Sequence, residues 1–387
     1  MNFELTDDQR AISATARAFA QKEMAPFAAE WDATSHFPVD VIRRAGALGF
    51  CALYCPPDFG GMGLSRLDAT LVFEELSAAC TSTTAYISIH NMATWMASSF
   101  GSAAVQSEWV PLLASGEKLA SYALTEPGAG SDASALKTRA VPDGDDYVLN
   151  GSKAFISGAG ATDALVLMAR TGADGPKGIT CFLVPADAKG ISYGRNEDKM
   201  GWKSQPTRLI SFDNVRIPAR LRIGAEGEGF RIAMKGLDGG RLNIAACSVG
   251  TAQAALERAA AYLNERKQFG KALAEFQALQ FRLADMATEL VAARQMVRLA
   301  ASKLDQGDAE ATTYCAMAKR FATDAGFNVC NEALQLHGGY GYIREYPLER
   351  HVRDTRVHQI LEGSNEIMRL IVARRLLADA DAASRIR

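Results

Sequence analysis

The 387-residue chain predicts a mainly helical protein with a β domain set in its middle. Three observations carry this reading. Apolar residues recur at helical spacing through the first third of the chain. The texture then changes to short β-rich runs broken by Gly, Pro, Asp and Asn. Long helical segments return from about residue 226.

The first zone, residues 1–118, opens with a capping box. Thr6 and Gln9 stand three apart, so that each side chain satisfies a helix-end donor of the other. An Ala-rich amphipathic stretch follows up to Pro26, and "PVDVIRRAGALGF" and "SRLDATLVFEELSAAC" continue the helical pattern around the turn "PPDFGGMG". In the second zone, residues 119–225, the runs "KLASYALTE", "YVLNG", "KAFIS", "ALVLMAR", "ITCFLV" and "RLISFDNVRI" follow one another with no helix between them. That order predicts a small antiparallel barrel or sandwich. In the third zone, residues 226–387, four long helical segments with short connections predict a four-helix bundle.

Composition excludes several functions. Lys and Arg total 42 against 44 Asp and Glu, a net charge of −2, so no basic excess exists to neutralise a nucleic-acid backbone. No run of some eighteen apolar residues predicts a membrane span. The seven cysteines are scattered without a C-x-x-C, and the five histidines lack metal-ligand spacing. A reducing compartment and no metal are expected. The start, "MNFELTDDQR", is acidic and lacks a basic-then-apolar stretch. It reads as a cytoplasmic protein, or a mitochondrial matrix one if the chain is a processed form.

Four stretches carry chemistry. "YALTEPGAGSDASA" (122–135) is a glycine-dense polar loop after a strand, where bare backbone N–H groups could approach a pyrophosphate. Its Gly128-x-Gly130-x-x-Ala133 spacing mimics a dinucleotide fingerprint but lacks the β-α-β setting. "QLHGGYGYIREYPLERHVRD" (335–354) ends a long helix on a Gly-Gly pair, either a plain helix stop or a close approach to a flat or phosphate-bearing ligand. "NERKQFGKAL" (264–273) sets Arg266, Lys267 and Lys271 around Phe269; it reads as a solvated face, although a guanidinium also suits a phosphate. In "QILEGSNEIMR", Glu362 follows an apolar pair and precedes Gly363. It is either a helix-start carboxylate favoured by the macrodipole or a base in a dry pocket.

The motifs "ALTEPGAGSDASA" and "QLHGGYGYIREYPLERHVRD", with "LEG" downstream, resemble the acyl-CoA dehydrogenase family over essentially the whole chain. The resemblance implies a helical domain, a β-barrel domain and a helical bundle, and FAD as cofactor. It also implies a homotetramer built as a pair of dimers, an acyl-CoA substrate, and an electron-transfer flavoprotein as electron acceptor. Carried over by position, Tyr122, Leu124, Thr125, Gly130, Ser131, Phe155, Ile156 and Ser157 would line the flavin, with Ser157 near its reactive nitrogen. Arg266, Phe269, Phe276 and Gln277, with Gln335, Leu336, His337, Gly338 and Gly339, would reach the FAD of a neighbouring subunit. Ser364, Asn365 and Glu366 would border the cofactor. Ser131, Asp238, Gly239, Gly240, Arg241, Gly363 and Arg374 match positions that contact substrate or CoA.

Glu362 falls on the family's catalytic base, which takes the α-proton while the β-hydrogen leaves as hydride to the flavin. The thioester carbonyl would accept hydrogen bonds from the Glu362 N–H and the ribityl chain of FAD. In some members the base lies instead just before an arginine on an earlier helix; here Gly240 precedes Arg241, so no rival carboxylate stands there. "CTSTTAYISIHNM", "NGSKAFISGAG", "SQPTR", "GGRLNIA" and "VHQILEGSNEIMR" resemble the branch that converts isobutyryl-CoA to methacrylyl-CoA in valine breakdown. Activity on 2-methylbutyryl-CoA or butyryl-CoA is the near alternative. An acyl-CoA oxidase or a non-catalytic scaffold of the same fold is the remote one.

Overall fold

The computed structural model describes residues 4–378 and 381–386. Its first part is helical: α1 (Asp7–Phe19), α2 (Ala28–Thr34), α3 (Val39–Ala47), α4 (Arg66–Ala79), α5 (Thr81–Phe100), α6 (Ala103–Glu108) and α7 (Val110–Ala114). The Thr6/Gln9 capping box forms as read, and a second one, Ser65/Asp68, starts α4. Helix α5 is buried along most of its length although it carries Thr, Ser, His and Asn. Those groups are accommodated because they are bonded. Asn91 accepts from Leu53 N (2.8 Å) and donates to Phe50 O (2.8 Å). His90 Nδ1 accepts from Ala120 N (3.0 Å), which ties the helix to the first strand. Burial pushes His90 down to about 4, so the ring is neutral and free to accept.

The middle part is an eight-stranded sheet: β1 (Ala120–Ala123), β2 (Arg139–Asp143), β3 (Asp146–Ser157), β4 (Ala164–Arg170), β5 (Ile179–Pro185), β6 (Ile191–Tyr193), β7 (Thr207–Pro218) and β8 (Arg222–Ile223). The path runs β6-β7-β3-β2-β4-β5-β8, with β1 added onto β4. Two expectations need correction. The sheet is mixed, not purely antiparallel, because β1 and β2 both run parallel to β4. Every residue of β4 is buried, which suits a strand covered on both faces and explains its unbroken apolar run. "YVLNG" and "KAFIS" are one strand, not two. Asn150-Gly151 looks like a turn but sits where the β3/β7 register shifts between Leu149 and Gly151, so the pair marks a bulge.

The last part holds α8 (Gly229–Glu265), a two-strand hairpin of β9 (Lys267–Gln268) and β10 (Lys271–Ala272), α9 (Gln277–Asp305), α10 (Ala311–His337), α11 (Leu348–Arg356), α12 (Asn365–Leu376) and α13 (Ala382–Arg385). Helix α8 is the axis: it packs on α4, α5, α9 and α10. One apolar core joins α1, α3, α4, α8, α9 and α10, and a second joins α5 and the start of α8 to β1, β4 and β5. The site forms where α5, α8, α10 and the chain before α12 meet β1. Among the described residues no helix is long and apolar enough to cross a membrane.

Candidate active site

After α11 the chain makes one tight turn, Val357–Gln359, and enters α12 at Ser364, whose hydroxyl accepts from Ile367 N (3.4 Å). Ser364 is the cap, so Glu362 lies two residues outside the helix and is not the helix-start carboxylate considered above. Glu362 has φ +54 and Gly363 φ +92. Glycine takes that conformation freely, whereas a left-handed glutamate is strained by about 1–2 kcal/mol. Strain of this kind persists where the surroundings over-determine it. Here Arg241 Nε donates to Glu362 O (3.4 Å), while Lys319 Nζ donates to Gly363 O (2.8 Å) and Asn365 Oδ1 (3.0 Å). The amide of Asn365 donates in turn to Asp324 Oδ1 (2.7 Å) and Thr323 Oγ1 (3.0 Å), rooting the turn in α10.

Glu362 as a whole is half-buried, but its Oε2 is closed off from solvent and among the described residues has no hydrogen-bond partner. Burial pushes this carboxyl up to about 7, against the opposing pull of Arg241 and Lys319. The carboxylate lies against Gly240 of α8 and Met92 of α5, in space that any larger residue at 240 would take. The Tyr122 hydroxyl, from β1, is also buried without a partner among the described residues, and burial holds it well above its ordinary value. Two orphaned polar groups in one electrostatic neighbourhood mark a place where a ligand supplies the missing partners.

Helix α8 provides the adjoining wall. Asp238 accepts from Arg241 Nη1 (2.7 Å) and Thr312 Oγ1 (2.7 Å). Arg66 lies over the Tyr54 ring (3.6 Å) and the Trp95 ring (4.6 Å), with its guanidinium against Gly239.

The glycine loop after β1 is pinned from below. Glu126 pairs with Lys153 (2.8 Å) inside the protein and accepts from Lys137 N (2.6 Å) and Thr138 N (2.9 Å). Thr125 O accepts from Ala154 N (2.9 Å). Above this anchor, Gly128, Gly130 and Ser131 lie at the surface. Gly128 and Gly130 have nothing within 4 Å of where a Cβ would stand. Phe155 is 69% exposed at φ +57, a large apolar side chain held out in a strained conformation. Ser157 is half-buried beside it, while Leu124 and Ile156 point into the interior. An aromatic ring, bare backbone and an orphaned phenol are what a flat, phosphate-bearing cofactor such as FAD needs, and the residues fit it.

A second cluster stands elsewhere. A cavity of about 430 Å³ is lined by Tyr262, Arg266, Gln335, His337, Gly338 and Gly339, among others. His337 stacks on Tyr262 (4.2 Å), and Arg266 lies 5.5 Å over the Tyr340 ring. Phe269 is 92% exposed and meets Phe276 edge-on at 6.2 Å. From Arg241 to Glu265 at the end of α8, twenty-four residues at ~1.5 Å each separate this cluster from Glu362 by roughly 36 Å. One copy of the chain leaves the two groups apart. Asn365 is turned inward onto α10, whereas Glu366 and Arg374 are exposed on α12.

Sequence reading missed Lys319, Tyr54, Arg66 and Met92. Lys319 did leave a signal: it is a charged residue at helical spacing with Cys315, Ala318 and Ala322, on a buried face whose other polar neighbour one turn away is only a threonine, Thr323.

Comparison with known proteins agrees with this geometry. Models of the acyl-CoA dehydrogenase N-terminal, middle and C-terminal domains match residues 6–117, 121–215 and 227–377. The chain is 54% identical over 375 residues to mitochondrial isobutyryl-CoA dehydrogenase of Bos taurus, covering 97% of this chain and 90% of that one. It superposes on butyryl-CoA dehydrogenase from Megasphaera elsdenii with a TM-score of 0.94 at 39% identity, over 97% of this chain and 100% of that one. It also superposes on PigA solved with FAD and proline, with a TM-score of 0.94 at 30% identity, over 97% and 99% of the two chains.

Proposed function

The chain belongs to the acyl-CoA dehydrogenase family, and from that premise we propose that Glu362 removes the α-proton of isobutyryl-CoA. The protein is a flavin oxidoreductase that dehydrogenates acyl-CoA thioesters with FAD as cofactor. FAD, when bound, takes up the β-hydrogen with its electron pair, so that the Cα–Cβ bond becomes double as the α-proton departs.

The observation that carries the residue assignment is the water-excluded, unpartnered Oε2 of Glu362. Exclusion of water raises the carboxylate's affinity for a proton to about 7, which makes it a stronger base than a solvated glutamate. Positioned general bases contribute roughly 10²–10⁴-fold to such proton transfers. Among the described residues the Glu362 N–H has no backbone acceptor, which leaves it free to donate to the thioester carbonyl as enolate charge develops. Arg241 holds the peptide oxygen of the same residue from the other side.

The isobutyryl-CoA assignment is supported by the five matching stretches and by 54% identity to a relative of that name. A methylene more or less changes such a preference by only about 1–3 kcal/mol, so 2-methylbutyryl-CoA and butyryl-CoA are the competing substrates. The roughly 36 Å of helix between the residues beside Glu362 and the Arg266 cluster supports an assembly in which Arg266, Phe269 and the Gln335–Gly339 stretch serve the FAD of a neighbouring copy, by the family resemblance a homotetramer. The electron acceptor we infer, from the family resemblance, would be an electron-transfer flavoprotein.

The test is anaerobic bleaching of the flavin by isobutyryl-CoA, 2-methylbutyryl-CoA, butyryl-CoA and octanoyl-CoA. Fastest bleaching by isobutyryl-CoA is expected; faster bleaching by another of the four replaces the substrate. Glu362→Gln should keep FAD and CoA-ester binding and lose bleaching. Retained bleaching would remove Glu362 as the base.

A further inference from the structure

Lys319 is fully buried in α10, yet among the described residues it has no carboxylate oxygen within 4 Å. A buried ammonium is expensive unless it is hydrogen-bonded or paired. Its two acceptors are Gly363 O (2.8 Å) and Asn365 Oδ1 (3.0 Å), both on the segment that carries Glu362. The charged and titratable groups facing it are Glu362 before α12, Arg241 on α8, Asp324 one turn along α10, Glu366 on α12 and His358 after α11. Most are already engaged. Arg241 is paired with Asp238 (2.7 Å). Asp324 has Arg369 (3.5 Å) and Arg320 (3.8 Å) beside it, and Glu366 has Arg369 (3.4 Å). His358 is buried neutral, bonded to Ser248 and Trp202. Glu362 is the carboxylate of this group that has no cation within 4 Å among the described residues. On its own side it faces Arg241 and Lys319, with Tyr54, Tyr122 and Cys247 as the neutral titratable neighbours.

We propose that Lys319 is a positioning residue for the base: its ammonium holds the left-handed Glu362–Gly363 turn through Gly363 O and Asn365 Oδ1, and its charge favours the ionised form of the Glu362 carboxylate. The proposal rests on Glu362 being the base. Two effects follow from one group. Hydrogen bonds to Gly363 O and Asn365 fix where the carboxylate points, and proximity of an otherwise uncompensated cation sets the pH at which it ionises. Burial pushes Lys319 itself down to about 7, so the ammonium and the carboxylate exchange protons over the same range and titrate as a pair.

The test is the pH dependence of anaerobic flavin bleaching by isobutyryl-CoA, or by whichever of the four esters bleaches fastest, from pH 6 to 9. Wild type, Lys319→Met, Lys319→Arg and Glu362→Gln are compared. Losing a nearby opposite charge raises a carboxyl's proton affinity by about one unit or more, so in Lys319→Met the acid limb should move up by at least ~1 pH unit. With the wild-type carboxyl at about 7, bleaching at pH 7 would then fall by about fivefold or more and recover much of the loss at pH 9. Lys319→Arg, which keeps the charge, should bring the limb back towards wild type. An unmoved limb in Lys319→Met overturns the proposal. So does an equal loss at every pH in both variants, which is the mark of a merely structural role. Bleaching by Glu362→Gln instead overturns the base assignment itself, a separate result. FAD content checks folding, and if Lys319→Met loses FAD, Lys319→Gln replaces it, because an amide still donates to Gly363 O without the charge.

Discussion

Gly240→Ala is the sharpest probe of the site, because it adds one methyl group and neither adds nor removes a charge. A Cβ built at 240 would stand 2.8 Å from Glu362 Cδ and 2.9 Å from Met92 Sδ, and closer still to Glu362 Oε2. Ordinary carbon contacts lie at roughly 3.5–4.0 Å, so the carboxylate must retreat by about 1 Å. A displacement of that size at a reacting group lowers rate about 10²-fold. Folding should be spared, since the obstructed atoms are the far ends of two flexible side chains. Alanine is also the better helix former, by about 0.5–1 kcal/mol over glycine inside a helix. The expected phenotype is therefore an enzyme with wild-type FAD content and an equal or higher Tm, whose anaerobic bleaching is about a hundredfold slower at every pH above 8. Bleaching within twofold of wild type would show that the carboxylate does not need the place it occupies against α8.

Arg266→Ala should weaken FAD retention on gel filtration and lower the tetramer fraction while leaving each copy's helices intact by circular dichroism; unchanged FAD affinity would detach Arg266 from the cofactor. Asp354 tests linkage in the core. It is fully buried, accepts from Trp202 N (2.6 Å), and burial, then the neighbouring Asp32 charge, pushes it up to about 6 against the pull of Trp202 N, Arg350 and Arg353. Because the folded-state value is raised, the folded protein holds the proton longer. Stability is thus full below about 4 and is lost as pH rises through 6, by about 3 kcal/mol at roughly 1.4 kcal/mol per unit. Asp354→Asn keeps an acceptor for Trp202 and should raise Tm at pH 8 but hardly at pH 4. An equal change at both would tie the effect to packing instead of ionisation.

Features whose partners lie close in sequence were legible before any coordinates. The Thr6/Gln9 box is closed within one turn, so its residues alone specify it. The change from a 3.6-residue to a two-residue period marked the three zones for the same reason. Glu362 could be singled out by an apolar pair before it and glycine after it, and the two long motifs identified the family. Some local signals misled where a distant strand or helix had the deciding contact. Asn150-Gly151 carries turn chemistry, but pairing with β7 keeps the strand going and turns the glycine into a bulge. Nothing in β1 announces that it runs parallel to β4, a partner more than forty residues away.

What the sequence determined by itself, then, is the set of elements and the chemistry in its loops, Glu362 among them as the candidate base, because each depends on neighbours within a turn or a strand or on a contiguous motif. What the tertiary structure decided is the state of that carboxylate. Gly240 clears its space from α8, Lys319 and Arg241 bring their charges from α10 and α8, and Met92 and Tyr122 close the pocket from α5 and β1. Desolvation and Coulomb interaction depend on distance through space, and along the chain these groups stand 43 to 270 residues from Glu362.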